Sequence, residues 1–348
     1  MTMGLIERGS EVVVDQLASE LSKHHDVLMI QSGPVSPKPY LVKRVNPLSQ
    51  IPPSAPRNMW EKLLFRLHVD QESGLVAQFT QSSIPQLALF KPDIIVAING
   101  PLQVRILQGQ ALQAKIITFG HAGIGHHDKS SLRAIPDLFV ALTPDAEVWA
   151  RGIAPSSTKV VYIPNPFDPT PFRGKHKPLT GLPSPVVLTV SALSKYKNVD
   201  SVIAATSQLS VSLCLVGDGE EQGHIARQLS HYPGEFKWIK QVEHSEIADY
   251  YRGSDIFCFV PDPQEAFGMV YLEAMAAGLP IVASDDPIRR DIIGNQGIYV
   301  DPHNITAIVE GIKQAHSLSK IDYGAQLKPY ALKSVVKQIS QEFHDLIK

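Results

Sequence analysis

The sequence predicts an α/β protein of two domains, each a doubly wound parallel sheet. Two observations lead to this class. Short apolar runs alternate with amphipathic stretches from one end of the chain to the other, which is typical of parallel strands joined by helical crossovers. The chain also has 348 residues, more than one hydrophobic core usually serves. We therefore expect two cores, with a boundary where the alternation is interrupted.

The interruption lies at 164–185, a proline-dense stretch that is unable to continue a sheet. We predict a first domain at 1–168, a linker at 169–185 and a second domain at 186–325. The final residues, 326–348, are periodic and polar on one face. We expect them to form a C-terminal helix that packs back towards the first domain.

The first domain opens with a helix, because apolar residues recur at helical spacing from Val14 to Leu21. The strand DVLMI follows. The next stretch, 32–58, has seven prolines and little periodicity, so we expect an irregular surface excursion there. Regular alternation then resumes with the strands KPDIIVA, KIITF, PDLFVAL and KVVYI and with helices near 102–112 and 145–151.

No strand is predicted before the first helix. The segment GLIERGSE is typical of a glycine-containing loop that enters the helix at Gly9 and Ser10. Without a leading strand, the first sheet would have unpaired edges, so we expect a truncated or misassigned start. Gly9 either offers its amide to a bound ligand or is a plain turn residue.

The second domain repeats the pattern, with strands PVVLTVS, VSLCLVG, FKWI, DIFCFV, PIVAS and GIYV.

The charge balance, 32 Lys+Arg against 34 Asp+Glu, offers no net field for nucleic acid or an anionic membrane. Both cysteines, Cys214 and Cys258, lie in apolar strands and are expected to be buried thiols. No run approaches the roughly 20 apolar residues of a membrane span. We expect a cytoplasmic protein, with peripheral contact to a membrane left open.

The segment 255–284 carries the most chemical information. It is typical of a strand, a loop, a helix and a strand, so the loop opens where parallel sheets bind ligands. A helix beginning near Phe267 or Gly268 would direct free amides at a phosphate. Glu265 and Glu273, about 12 Å apart at ~1.5 Å per residue, would then contact a sugar and a ribose diol on either side of a diphosphate. Taken singly, each carboxylate has a structural alternative: complementing the helix dipole, or simply being solvated.

This segment, EAFGMVYLE followed by AMAAGLPIVASD, resembles the Glu, seven residues, Glu signature of retaining family 4 glycosyltransferases (glycosyl transferases group 1). VSALSKYKNVD, LVGDGEEQ, VEHSEIADYYRGSD and IPNPFDPTPF resemble further motifs of that family in the same order. The resemblance implies the GT-B fold, in which two Rossmann-like domains face a cleft.

The resemblance also implies roles for matching residues. Lys197 would pair with the diphosphate, Glu273 would hold the ribose and Glu265 would fix the transferred sugar. The other donor contacts would be the amides of Ala266, Phe267 and Gly268, and Val242 against the base. One position departs from the family, because Ala192 stands where many relatives have an arginine. Lys195 is the nearest substitute for that charge.

The cluster FGHAGIGHHD follows the strand KIITF in the first domain. His121 matches the position where relatives have a histidine beside the reacting sugar, which implies a hydrogen bond to sugar or acceptor. His126, His127 and Asp128 have the residue types of metal ligands, but adjacent histidines without a distant partner are more often loop residues. We predict no catalytic metal.

We therefore expect a retaining, metal-independent hexosyltransferase without a resident cofactor, using a nucleotide-diphosphate sugar and a glycan, lipid or small-molecule acceptor. Three alternatives stay open. The turn VGDGEEQG resembles a dinucleotide-binding turn, although its glycines, Gly217, Gly219 and Gly223, miss the usual spacing. A scaffold with a retired transferase site is favoured by the missing arginine and strand. A nucleotide-sugar epimerase or hydrolase would differ only in its product.

Overall fold

The computed structural model describes residues 1–2, 9–35, 37–46, 59–60, 64, 70–121, 123–175, 179, 181–243 and 246–348. The chain divides into two compact units. Unit 1 comprises Met1–Pro166 and Tyr330–Lys348, and unit 2 comprises Phe167–Pro329. Both are parallel α/β units, as the sequence predicts, and each is described by itself below.

The strands are β1 (Leu28–Gln31), β2 (Leu41–Arg44), β3 (Ile94–Ala97), β4 (Lys115–Phe119), β5 (Leu138–Ala141), β6 (Lys159–Tyr162), β7 (Val186–Val190), β8 (Ser212–Val216), β9 (Phe236–Ile239), β10 (Ile256–Phe259), β11 (Ile281–Ser284) and β12 (Ile298–Val300). The helices are α1 (Gly9–Leu21), α2 (Gln71–Phe90), α3 (Pro101–Gln108), α4 (His126–Arg133), α5 (Pro144–Ile153), α6 (Val199–Thr206), α7 (Gln222–Leu229), α8 (Ile247–Arg252), α9 (Met269–Ala276), α10 (Pro287–Ile293), α11 (Ile305–His316), α12 (Gly324–Leu327) and α13 (Leu332–Ile347). None of the helices in these ranges is long and apolar enough to cross a bilayer.

Unit 1 contains two parallel ladders. One has the order β3-β4-β5-β6 and the other pairs β1 with β2. Met1 and Thr2 lie between them: the Met1 amine donates to the Val96 carbonyl at 2.9 Å, and the Thr2 amide donates to the Ile30 carbonyl at 3.1 Å. Met1 thus bonds to β3 of one ladder and Thr2 to β1 of the other. Residues 3–8, which precede α1, lie outside the described residues, so the expectation of a missing leading strand stays a prediction.

The strand β2 corrects the sequence interpretation. The stretch 32–58 was expected to be irregular, but Leu41–Arg44 pairs in parallel with β1, in the register Leu28↔Leu41. The apolar pattern did not predict this strand because Leu41 is 60% exposed and two basic residues follow Val42. Backbone hydrogen bonds at the sheet edge, rather than burial, define it. Residues 47–58 lie outside the described residues.

Unit 2 holds a single parallel sheet in the order β12-β11-β10-β7-β8-β9. The strands β8, β10 and β11 are buried along their whole length, which explains their continuous apolar runs. Cys214 in β8 and Cys258 in β10 are free, buried thiols, as predicted. Burial raises the pKa of each thiol to about 12, so neither is a reactive thiolate near pH 7.

The order of unit 2 creates a switch point between β7 and β10. From β7 the chain continues outward to β8 and β9, and it then returns to the other side of β7 to add β10, β11 and β12. The loops after β7 and β10 therefore leave the sheet side by side but lead to helices on opposite faces. A crevice opens at such a point in parallel sheets, and ligands bind there.

Helix α13 belongs to unit 1 and packs against α1. Its apolar side chains Val335, Val336 and Ile339 are buried. On its polar side, Glu342 pairs with Lys159 at 2.5 Å. The amphipathic pattern of the last residues is thus satisfied by burial of one face within unit 1.

Candidate functional site

The candidate site lies at the β7–β10 switch point of unit 2. Lys197 ends the short 3₁₀ turn Lys195–Lys197 that follows β7, and Glu265 lies in the loop that follows β10. The two residues are 68 positions apart in sequence, yet their side chains form an ion pair. Parallel strands bring the two loops together because their carboxyl ends share one edge of the sheet.

Hydrogen bonds fix these two loops to each other. The Asp262 amide donates to the Tyr196 carbonyl at 2.7 Å. The Asn198 side chain donates to the Val260 carbonyl at 3.1 Å and to the Asp262 carboxylate at 2.8 Å. Asn198 has φ 50°, in the left-handed region that asparagine tolerates better than most residues. The two loops that carry the ion pair are therefore hydrogen-bonded to each other and do not move independently.

The Lys197–Glu265 pair is largely shielded from solvent. The side chains are 14% and 12% exposed, respectively. The Lys197 ammonium also lies 5.0 Å from the ring centroid of Tyr196 and 5.5 Å from that of Phe259. Aromatic faces attract cations, so these rings add to the pull of the carboxylate. Each of the two charges has the other as its partner. A lone lysine or glutamate at this depth would have no opposite charge to offset the cost of burial.

The segment from Glu265 to Gly268 leads into α9. This helix begins at Met269, slightly later than the predicted start at Phe267 or Gly268. Gly268 has φ 87°, and a Cβ there would lie 2.8 Å from the Tyr271 ring, so both conformation and space require glycine. No side chain caps α9 at Gly268. Its first amides have no intrahelical acceptor, which makes this helix end suited to an anion.

Glu273 is the fifth residue of α9. Burial raises its pKa to about 7, and the nearby hydroxyl of Tyr251 partly offsets that rise. Tyr251 is fully buried, and its own pKa is raised by burial first and by the Glu273 carboxylate second. By accessible surface Glu273 is half-buried, so its carboxylate is only partly solvated. It is therefore ready to accept hydrogen bonds from a ligand diol.

The glycines of the loop after β8 serve backbone packing. A Cβ on Gly217, whose φ is 138°, would lie 1.9 Å from the Ser191 carbonyl oxygen, and one on Gly219 would lie 2.4 Å from that of Leu193. The Leu193 amide donates to the Asp218 carbonyl at 2.9 Å. These glycines let two loops meet backbone to backbone, which is a reason for their presence that needs no dinucleotide.

The other predicted donor residues lie on the same edge of the unit 2 sheet. Ala192 and Lys195, on the loop after β7, are both exposed, so neither side chain is committed to the core. Val242 follows β9 and is half-buried. Ala266 is half-buried and Phe267 is buried within the loop that follows β10. The structure leaves their roles in donor binding as predictions.

His121 and Gly9 belong to unit 1. His121 follows β4, and its ring stacks on Phe119 at 5.6 Å between centroids. Burial lowers the pKa of His121 to about 4, so the imidazole is neutral at pH 7 and offers one donor and one acceptor. Gly9 is the first residue of α1. Their contacts with the donor or the acceptor stay predictions.

The expectation that His126 and His127 are loop residues is wrong. Helix α4 begins at His126, so His126, His127 and Asp128 form its first turn. The sequence did not predict this helix because its first turn is wholly polar and shows no apolar periodicity. Asp128 is buried, with a carboxylate oxygen 2.9 Å from the position of a Cβ on Gly120. Across the described ranges, no three His, Cys, Asp or Glu side chains converge as a metal site would require.

Arg289 is a residue of this region that sequence reasoning missed. It lies on α10, is fully buried, and donates from Nη1 to the Glu265 carbonyl at 3.0 Å. The pattern PIRRDII gives no signal of this, since an arginine in a short polar helix usually faces solvent. Only the packing of α10 beneath the loop after β10 distinguishes Arg289 from the exposed Arg290.

Comparison with known proteins identifies the family of this region. The family model described as "Glycosyl transferases group 1" matches residues 175–333. This segment of the chain is similar to the glycosyl transferases group 1 family. The match contains the Lys197–Glu265 pair and Glu273, so the family resemblance predicted from sequence is confirmed.

Among similar proteins, a phosphatidyl-myo-inositol mannosyltransferase from Mycolicibacterium smegmatis is 32% identical over 144 residues. The alignment covers 37% of this chain and 37% of the relative. The chain spans 39% and 37% of the length of the first curated relatives it matches.

Solved structures extend the likeness to the whole fold. The sucrose-phosphate synthase tll1590 from Thermosynechococcus elongatus aligns with a TM-score of 0.77 and 20% identity, covering 97% of this chain and 94% of that one. Alr3699/HepE from Anabaena, solved in complex with UDP and glucose, aligns with a TM-score of 0.72 and 18% identity, covering 99% and 98%. At these identities the likeness supports the GT-B type of fold, with two Rossmann-like units.

Proposed function

We propose that this protein transfers a hexose from a nucleoside diphosphate to a hydroxyl group of an acceptor, with retention of the anomeric configuration. The observation that carries the proposal is the shielded Lys197–Glu265 pair at the switch point of a sheet within the matched family segment. A cation for the diphosphate and a carboxylate for sugar hydroxyls meet there, beside the uncapped start of α9.

Donor binding exchanges the partners of this ion pair. The diphosphate takes the Lys197 ammonium, and the Glu265 carboxylate accepts hydrogen bonds from hydroxyls of the transferred sugar. Glu273 accepts two hydrogen bonds from the ribose diol. Its raised pKa supports this role, since an ionised Glu273 gains from the diol the hydrogen bonds that burial has removed.

The chemical step forms one bond and breaks one. The bond between the anomeric carbon and the β-phosphate oxygen breaks, and the acceptor oxygen bonds to that carbon on the same face. The acceptor proton passes to the departing phosphate oxygen. Negative charge develops on the phosphate, where Lys197 and the first amides of α9 stabilise it. This assignment gives the diphosphate its positive charge without a metal ion.

His121 and Gly9 complete the proposal from the family resemblance. We assign His121 a hydrogen bond to the sugar or the acceptor, made by its neutral imidazole. Gly9 would offer its amide to donor or acceptor. The acceptor class stays open among glycans, glycolipids and small molecules. UDP is the first nucleotide to try, since a protein of similar fold was solved with UDP and glucose.

A thermal-shift panel tests the donor site. UDP-, GDP- and ADP-sugars are added in EDTA to the wild type, to Glu273→Ala and to the control Glu310→Ala, whose side chain is 64% exposed on α11. Ligand at about 100 times its Kd adds roughly 2.7 kcal/mol, which raises the melting temperature by several degrees. We expect one donor to shift the wild type and Glu310→Ala but not Glu273→Ala.

Product analysis then tests the reaction. The selected donor is incubated with candidate hydroxyl acceptors, and NMR reads the anomeric configuration of any glycoside formed. Retention supports the proposal, and inversion contradicts it. Free sugar or an epimerised donor as the only product would favour a hydrolase or epimerase. No shift with any donor, in protein that melts cooperatively, would favour a scaffold with a retired site.

A further inference from the structure

Arg289 contacts the candidate site through the main chain of Glu265. Its side chain has 0% exposure, and its guanidinium Nη1 lies 3.0 Å from the Glu265 carbonyl oxygen and 3.3 Å from a carboxylate oxygen of Asp286. It also lies beside the Tyr271 phenol, where its charge counters the effect of burial on that hydroxyl. Tyr271 in turn donates to the Phe259 carbonyl at 2.8 Å and packs beneath Gly268.

The helix that carries Arg289 does not need this buried charge. Asp286 already caps α10 by accepting from the Arg289 amide at 3.1 Å. Within the described part of the chain, Nε and Nη2 of Arg289 make no hydrogen bond of normal geometry. A guanidinium that is buried and only partly satisfied lowers stability compared with an apolar side chain of similar size. Its presence therefore points to a role other than stabilising α10.

Glu265 is held at three points in the donor-free protein. Its amide donates to the Asp262 carbonyl at 3.0 Å, its carboxylate pairs with Lys197, and its carbonyl accepts from Arg289. The proposed reaction releases the second of these contacts, because the diphosphate takes Lys197. The main chain of Glu265 then depends on the two remaining contacts, and the one to Arg289 is the charge-assisted one.

We propose that Arg289 is a positioning residue that holds the Glu265 main chain so that the Glu265 carboxylate meets the sugar of the donor. The inference rests on the proposed function and adds to it a residue outside the ligand contacts. Arg289 acts through Glu265 and not on the nucleotide, so it should affect recognition of the sugar and leave recognition of the nucleoside diphosphate unchanged.

Isothermal titration calorimetry tests whether Arg289 affects recognition of the sugar but not of the nucleotide. The quantity compared is called the sugar increment. The increment is the ratio of the Kd of UDP to the Kd of UDP-glucose, or of the GDP or ADP pair if the panel selects it. Arg289→Met is compared with the control Arg290→Met, whose side chain is 55% exposed and pairs with Asp285. Loss of one charge-assisted hydrogen bond predicts an increment lower by about tenfold in Arg289→Met, with Kd for the nucleotide within about twofold. Arg290→Met should match the wild type.

A double-mutant cycle with Glu265→Ala distinguishes positioning from a general structural role. If Arg289 acts through Glu265, Arg289→Met should leave the increment unchanged once Glu265 is alanine. An equal effect in both backgrounds, or equal losses for nucleotide and nucleotide sugar, would overturn the inference while leaving the proposed function in place. A wild type that binds no donor would overturn both.

Folding is monitored by circular dichroism in every variant. If Arg289→Met does not melt cooperatively, Arg289→Lys decides, because the lysine ammonium keeps the charge but ends one bond short of Nη1, the atom that donates to the Glu265 carbonyl. A lowered increment in Arg289→Lys supports positioning, and an unchanged one contradicts it. If neither variant folds, the residue is structural and the inference is wrong.

Discussion

Donor binding should become tighter as the pH rises through 7, because the ribose diol donates to an ionised Glu273. Burial raises the pKa of Glu273 from 4.5 to about 7 in the donor-free protein. At pH 6 about one molecule in eleven is then ionised, and at pH 8 about ten in eleven. The apparent Kd varies inversely with this fraction, so we expect about tenfold weaker binding at pH 6 than at pH 8.

Isothermal titration with a nucleotide sugar measures this at pH 6, 7 and 8. A nucleotide sugar is preferable to a nucleoside diphosphate, whose terminal phosphate titrates in the same range. Two buffers of different ionisation enthalpy report the proton released on binding. Glu273→Gln removes the titration and should flatten the profile, while His303→Gln controls for an exposed imidazole 3.1 Å from Asp262 at the site.

A flat wild-type profile would refute the reasoning, as would a slope that persists in Glu273→Gln. The same shift predicts a stability effect of definite sign. Because the native state holds a proton on Glu273 that the unfolded chain has released, the free protein loses stability as pH rises from 4.5 to about 7. Urea denaturation of the wild type and Glu273→Gln across that range measures the difference.

Three further predictions follow from the site. Lys197→Met should lower kcat/KM by about 100-fold or more, measured with the donor that the panel selects, because the departing phosphate loses its cation; an effect below about threefold would contradict the assignment. Gly217→Ala should destabilise unit 2 by about 3 kcal/mol or more in urea, since its Cβ would lie 1.9 Å from the Ser191 carbonyl oxygen, whereas Gly223→Ala, with no neighbour nearer than 4.0 Å, should be neutral or stabilising. Ala192→Arg should tighten donor binding about tenfold by adding a second cation at an exposed position; weaker binding would show that Ala192 leaves space for the ligand.

Much of the fold was predictable from sequence because buried parallel strands leave continuous apolar runs. VSLCLV and DIFCFV predict β8 and β10, together with the burial of their cysteines, since both faces of these strands are covered. The strand β2 was not predictable in this way. Its residues LVKR are mostly exposed, and edge pairing leaves no periodic signal in the side chains.

The start of α4 shows the same limit for helices. His126, His127 and Asp128 suit a polar loop, yet they occupy the first turn of the helix. Sequence periodicity reports which face of an element is buried. It reports little about elements, or parts of elements, that bury few side chains.

The sequence by itself determined the residue types of the site. Glu265 and Glu273 stand at the spacing of a known signature, and Lys197 lies in a further motif that resembles the same family. Only the tertiary structure decided how these groups act on one another. It paired Lys197 with Glu265 and raised the pKa of Glu273 to about 7. It also placed Arg289 behind Glu265. Ion pairing and desolvation depend on distances between side chains far apart in sequence, and the order of strands in the sheet fixes those distances.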